Sequence, residues 1–286
     1  MGDMKNIGVV GCGLMGSGIA QVCAQAGYTT TVREIDQALL DKGLGSIASS
    51  LDRSVERGRL SPEDRDATLA RLKGTTSLDA LAGCDLVIEV ITEDIRPKRQ
   101  LFAELDALCQ ADAILATNTS SLTVVEMAAA TKRPERVVGM HFFNPVPAMK
   151  LVEVVRTVVT SDEVVNQAKA FCESIGKTVV LAKDTPGFVV NRLLVPYLLD
   201  AIAAYEAGLA SREDIDQGMV LGCGHPMGPL TLSDLVGLDT LYNVARSFYD
   251  ELGGARFAPP PLLKRMVLAG HLGRKTGRGF YDYRQQ

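Results

Sequence analysis

Histidine is scarce in this chain: His141, His225 and His271 are all it has among 286 residues. The six cysteines (Cys12, Cys23, Cys84, Cys109, Cys172, Cys223) include no CxxC pair and no His-rich neighbourhood. A zinc site and a disulfide framework are therefore not expected, and reduced thiols in a cytoplasmic protein are. Cations show no excess either. Lys and Arg number 30 against 34 Asp and Glu, a formal net charge of -4, with no single basic stripe, which argues against nucleic acid as a partner. An uninterrupted apolar run is missing too. The most apolar stretch, residues 188–205, is broken by Asn191, Arg192, Pro196 and Asp200, so it reads as a buried helix and no membrane partner is expected. The first strand pattern begins almost at Met1, leaving no room for a leader within this sequence. A hydrophobic fraction of 47% with 22% charged residues is that of a soluble globular chain able to fill one large core or two smaller ones.

What is there centres on residues 7–18, IGVVGCGLMGSG, where a strand runs into Gly11, Gly13 and Gly16 and a helix-compatible run follows as far as Ala26. Each glycine answers a different need. Gly11 makes the sharp turn, Gly13 lets a pyrophosphate approach the backbone, and Gly16 lets the helix pack close to the strand. The first-turn amides, with Leu14 and Met15 among them, then face the anion. Gly27 closes the helix, and residues 29–33 read as a second strand ending in Glu34, 21 residues past Gly13. A carboxylate there accepts from the two hydroxyls of an adenosine ribose and repels a 2′-phosphate, so the cofactor expected is NAD.

Apolar residues at Leu40, Leu44, Ile47, Leu51 and Val55 mark one face of a helix, and Ser61-Pro62 opens another that runs to about Leu72. Together they read as a helical hairpin, about residues 38–73, projecting from the nucleotide domain and carrying Lys42, Arg53, Arg57, Arg59 and Arg65. Such a face is either simply solvated or an arm for the phosphates of a large anionic ligand. Strand patterns follow at 85–91, 113–117, 137–143, 151–155 and 178–182, with helices at 97–109, after Thr123 (with Glu126 at capping-box spacing) and at 162–175. Alternation of this kind means an open parallel sheet whose ligands gather at the carboxyl ends of its strands, the side on which Glu89, Glu93, Lys98 and Ser120 fall. Beyond residue 183 no strand pattern occurs. Helices are expected over 188–207, 211–221 and 231–252.

His141 stands in a strand at the active edge, and Glu153 follows twelve residues later in the next strand. A carboxylate beside an imidazole fixes its tautomer and stabilises the imidazolium, which makes a general base; the competing reading is a core histidine satisfied by a neighbouring strand. Ser120, His141 and Glu153 also invite a serine-hydrolase reading, but Ser120 lacks a GxSxG elbow and a nicotinamide site occupies the same edge. Hydride transfer beside a proton relay suits the set better.

The segments GVVGCGLMGSGIA, NTSSL, GMHFFNPVPAMKLVEVV, KDTPGFVVNRLL, GHPMGPL and GRKTGRGFYDY follow one another as in the 3-hydroxyacyl-CoA dehydrogenases, and the chain most resembles their bacterial 3-hydroxybutyryl-CoA branch. The resemblance implies an α/β fold: an N-terminal Rossmann-type parallel-sheet domain (residues 1–183) with the inserted hairpin, and an all-α C-terminal domain (184–286) that forms a homodimer and shares the active-site cleft. It places the catalytic set on Ser120, His141, Glu153 and Asn191. NAD contacts fall on Gly11, Gly13, Leu14, Met15, Gly16, Glu34, Glu93, Lys98, Ser120 and Asn144. Ser120 and Asn191 would meet the acyl-CoA substrate, with Arg53 and Arg57 as candidates for its phosphates. Glu34 stands where many members carry Asp. The catalytic Lys signature of hydroxyisobutyrate-type dehydrogenases is not found in its expected place.

Overall fold

The computed structural model describes residues 4–284, and the chain divides into two compact units between Thr185 and Pro186. The first holds an eight-stranded sheet of order β3-β2-β1-β4-β5-β6-β7-β8. Its strands are β1 (Asn6–Val10), β2 (Thr29–Arg33), β3 (Leu72–Thr75), β4 (Leu86–Glu89), β5 (Ile114–Thr117), β6 (Val137–Phe142), β7 (Leu151–Arg156) and β8 (Thr178–Lys183). The order reverses between β1 and β4, the switch point at which open α/β sheets bind ligands. All pairs are parallel except β6 and β7. The mostly parallel sheet is the one expected, and its single antiparallel pair has a physical reason. Only an eight-residue loop joins these two neighbours, and a parallel pair needs a far longer crossover.

Helix α1 (Leu14–Gln25) buries nine of its twelve residues, Gly16 to Ala24, against the sheet. It ends as expected at Gly27, with φ +102°. There Tyr28 N–H bonds back to Cys23 O and Gly27 N–H to Ala24 O, the two bonds of a Schellman closure. Helix α2 (Gln37–Glu56) starts where Asp36 accepts from Leu39 N–H, and α3 (Pro62–Ala70) where Ser61 accepts from Asp64 N–H. The hairpin does not stand off the nucleotide unit over its whole length. Leu40, Ile47 and Leu51 enter the same core as Ile19 and Val32, and Gly43 touches the glycine loop. Any β-carbon at Gly43 would lie 2.1 Å from Cys12 Sγ. Strand β3 then returns along β2, starting at the very end of the stretch expected to form the hairpin. Its residues, Leu-Lys-Gly-Thr, have no apolar run because an edge strand is paired on one side only.

Helices α4 (Ile95–Leu108), α5 (Val124–Ala128) and α6 (Asp162–Ser174) complete this unit. The capping box at α5 is not formed: Thr123 makes no side-chain cap. Asp184 replaces it, its two carboxylate oxygens accepting from Val124 N–H at 2.9 Å and Val125 N–H at 2.7 Å. A carboxylate takes the two amides on separate oxygens and adds a negative charge at the positive end of the helix dipole.

The second unit contains α7 (Val190–Glu206), α8 (Arg212–Cys223), α9 (Pro229–Val236), α10 (Leu238–Leu252) and α11 (Pro261–Leu268), and no strand among its described residues. The single helix expected over 231–252 is two, because Gly237 at φ +98° breaks it. Val195, Leu198, Ile202, Leu241, Phe248 and Leu263 form the core, each buried Leu or Phe worth about 1.5–3 kcal/mol. Two buried carboxylates organise the rest. Asp216 caps α9 through Leu230 N–H (2.7 Å) and Thr231 N–H (2.9 Å). Asp234 accepts from the amides of Phe280 and Tyr281, 2.9 Å each, and from the Tyr283 hydroxyl at 3.0 Å. The GHPMGPL and GRKTGRGFYDY motifs are thereby explained as anchors. A β-carbon at Gly228 would strike Asp216, and one at Gly279 would lie 1.9 Å from Asp234 Oδ1.

Candidate active site

The glycine loop is shaped by contacts that only glycine permits. A β-carbon at Gly11 (φ +102°) would stand 2.5 Å from Val90 O, and one at Gly16 would stand 1.9 Å from Gly11 O. Gly13, the residue before α1, has nothing within 4 Å of that position, so its backbone is open to an approaching anion. It makes no side-chain cap and no acid occupies the first turn of α1, so the helix-terminal amides keep their affinity for negative charge. Leu14 lies 74% exposed beside them, and Met15 packs partly into the core. At the end of β2, Glu34 Oε2 accepts from Cys12 N–H and Oε1 from Ile35 N–H, 2.7 Å each. Each oxygen keeps a further lone pair for a ribose hydroxyl. These residues fit a dinucleotide. Cys12 is a filler under the loop: burial, with Glu34 adding to it, pushes its thiol up to about 11, so it stays protonated at neutral pH.

Past β4 the chain turns into a second cluster. Glu93 Oε1 accepts from Thr119 Oγ1 (2.6 Å), Ser120 N–H (2.9 Å) and Ser121 N–H (3.3 Å), and so gathers the turn that follows β5. Burial pushes the Glu93 carboxyl up; the Lys98 ammonium, 3.4 Å away, and the hydrogen bonds from that turn outweigh it and hold the group below the usual carboxylate range. Lys98 is 1% exposed and pairs with Glu89 at 2.5 Å. Ser120 is half-buried at the centre of the turn.

His141 and Glu153 face each other across the antiparallel β6–β7 pair, in register. Nδ1 lies 2.7 Å from Glu153 Oε2, with Glu153 wholly buried and His141 6% exposed. A carboxylate only accepts, so Nδ1 carries the proton and the neutral ring presents Nε2 as its basic atom. The Phe143 ring, 4.5 Å from the imidazole, closes one side. The adjacent amide, Phe142 N–H, donates to Asn118 Oδ1 at 2.9 Å, tying the histidine strand to the Ser120 turn.

A model of the 3-hydroxyacyl-CoA dehydrogenase NAD binding domain matches residues 6–185, and a model of the C-terminal domain of the same enzymes matches residues 187–283. The chain belongs to the 3-hydroxyacyl-CoA dehydrogenase family. It is 51% identical over 282 residues to a 3-hydroxybutyryl-CoA dehydrogenase of Mycobacterium tuberculosis, covering 98% of this chain and 99% of that one. A 3-hydroxybutyryl-CoA dehydrogenase of Clostridioides difficile is 44% identical over 277 residues, 97% and 99% of the two chains. The crystal structure of the (S)-3-hydroxybutyryl-CoA dehydrogenase of Ralstonia eutropha superposes with a TM-score of 0.96 at 45% identity, covering 98% of this chain and 99% of the other.

Within this 3-hydroxyacyl-CoA dehydrogenase fold, the glycine loop, Glu34, Glu93, Lys98, Ser120, His141 and Glu153 all belong to the first unit, in the turns that follow its strands, in the first turn of α4 (Lys98) or in the β6–β7 pair. Asn144 is exposed on the loop after β6, and Asn191 is half-buried in the first turn of α7. Arg53 and Arg57 are exposed at the C-terminal end of α2, whereas Arg65 is engaged by Asp52 at 2.9 Å. His225 belongs to the second unit, its Nδ1 3.1 Å from the Tyr197 hydroxyl, and no helix among the described residues is long and apolar enough to cross a membrane. Sequence reasoning gave no role to Asn118, Thr117 or Thr119. Their only signal was an Asn-Thr-Ser-Ser run at a strand end, the composition of a turn that bonds its own backbone.

Proposed function

We propose that this protein is an NAD-dependent (S)-3-hydroxyacyl-CoA dehydrogenase acting on a short acyl chain such as 3-hydroxybutyryl-CoA, in either direction. The buried His141–Glu153 pair at 2.7 Å carries the reading, because a dinucleotide-binding module has no need of an oriented imidazole. Bound NAD supplies the acceptor for the hydride that leaves the 3-carbon. His141 Nε2 takes the proton of the 3-hydroxyl, and Glu153 holds the resulting imidazolium in place; in the reverse direction the same nitrogen returns the proton. Ser120 and Asn191 donate to the reacting oxygen or the thioester carbonyl and align the 3-carbon, positioning that is worth several kcal/mol by order of magnitude. Glu34 takes the adenosine ribose, the amides after Gly13 the pyrophosphate, and Glu93 and Asn144 the nicotinamide half; Lys98, expected from the sequence to meet NAD, is 1% exposed and holds Glu89 and Glu93 instead. Arg53 and Arg57 are assigned to phosphates of coenzyme A.

NADH oxidation with acetoacetyl-CoA, run beside free acetoacetate and beside NADPH, tests the assignment. Turnover with NADH and the thioester alone is expected. Equal turnover of free acetoacetate would move the reading to a dehydrogenase of free hydroxy acids. His141→Gln should lower kcat about a hundredfold to ten-thousandfold while NADH still binds; near wild-type turnover would remove His141 from the chemistry. We further propose a cytoplasmic homodimer joined through the second unit, where Leu193, Leu209 and Leu221 are 65%, 77% and 76% exposed.

A further inference from the structure

Glu89 has no solvent exposure, and nothing in the chemistry above uses it. It ends β4 beside the switch point, opposite Val10 of β1 on one side and Thr117 of β5 on the other. Oε1 accepts from Ile91 N–H at 2.7 Å and from Lys98 Nζ at 2.5 Å; Oε2 accepts from Thr117 Oγ1 at 2.7 Å. A buried carboxylate persists only when paired in this way. From it two routes lead to one turn. Along the first, Lys98 Nζ reaches Glu93 Oε2 at 3.4 Å, and Glu93 Oε1 holds Thr119 Oγ1 and Ser120 N–H. Along the second, Thr117 gives its only hydroxyl proton to Glu89, and this turns a lone pair toward Thr119 N–H, which donates to it at 3.2 Å. The two routes use different oxygens of Glu89 and meet in Thr119, the residue before Ser120.

We propose that Glu89 is a positioning residue for the reaction: from beneath the sheet edge it holds the Ser120 turn in its working geometry through Lys98 and Glu93 by one route and Thr117 by the other. This rests on the reading of Ser120 as a group that touches substrate. A buried ion pair kept for stability alone would lower the melting temperature when broken and leave the rate constant of the folded enzyme unchanged.

Steady-state reduction of acetoacetyl-CoA by NADH separates the two in a cycle of wild type, Glu89→Gln, Ser120→Ala and the double variant. In the folded enzyme, Glu89→Gln is expected to lower kcat by about tenfold, with KM for acetoacetyl-CoA within about twofold of wild type. In the Ser120→Ala background the same substitution should cost less than about twofold, because its effect passes through Ser120. An equal factor in both backgrounds, or an unchanged kcat, overturns the proposal while leaving the dehydrogenase reading intact. A wild-type protein without turnover overturns that reading and this one with it. If Glu89→Gln does not fold, Thr117→Val replaces it in the cycle. It cuts only the hydroxyl route, and a kcat loss of about threefold that vanishes without Ser120 is expected, with persistence of that loss as the refuting result.

Discussion

A methyl group at position 16 would stand 1.9 Å from the Gly11 carbonyl oxygen, whereas one at position 13 meets nothing within 4 Å. The two glycines therefore fail differently. Gly16→Ala must displace the loop or the helix, a strain of about 1–3 kcal/mol, so both thermal stability and NADH affinity should fall, the latter about tenfold or more in a fluorescence titration. Gly13→Ala, at φ −71°, should leave stability within about 0.5 kcal/mol and still weaken NADH, because the space it fills is the one a pyrophosphate needs. A Gly13→Ala protein that binds NADH like wild type would remove the anion from this loop. Glu93 offers a test in pH. Its folded value lies below the ordinary one, so its contribution to stability is complete above about pH 4.3 and is lost as pH falls through the lowered value. The stability gap between wild type and Glu93→Gln, read from urea midpoints, should be steady from neutral pH to about pH 5 and narrow below about pH 4. A gap that widens on acidification would contradict the assigned partners.

Among elements, the polar groups that hold helix ends are what sequence patterns missed most. Asp216 receives Leu230 N–H, Thr231 N–H, Thr231 Oγ1 and the Tyr281 hydroxyl, so Asp216→Ala should cost about 2–3 kcal/mol by denaturant unfolding while the first unit keeps its NADH site. An effect under about 0.5 kcal/mol would mean that α9 does not depend on this cap. Caps taken from nearby residues were legible: Ser61 and Ser211 lie three residues before the amides they receive. The caps of α5 by Asp184 and of α9 by Asp216 come from 60 and 14 residues away, and no local pattern encodes such a distance. The same holds for β3, whose polar Leu-Lys-Gly-Thr becomes a strand only because β2 lies alongside. Gly237, which divides α9 from α10, sits in an apolar periodic run that continues past it, and only its φ of +98° reveals the break.

For the whole molecule, the proposed homodimer predicts sedimentation at twice the chain mass of 30.6 kDa at micromolar concentration; monomer alone would contradict it. Most of the architecture was determined by sequence. Apolar runs at β1, β4, β5 and β6 demand central parallel strands, three glycines demand the loop, and the loss of strand pattern after residue 183 demands a helical second unit. Those are local properties, carried by periodicity and by residues with special backbone freedom. Tertiary structure alone decided that α2 lies down on the glycine loop at Gly43, that the His141–Glu153 pair expected from the sequence meets in register across antiparallel strands, and that Glu89 reaches the Ser120 turn by two hydrogen-bonded routes. Each depends on which side chains meet across strands or helices far apart in the chain, and contact of that kind is set by packing and strand register, which no stretch of sequence contains by itself.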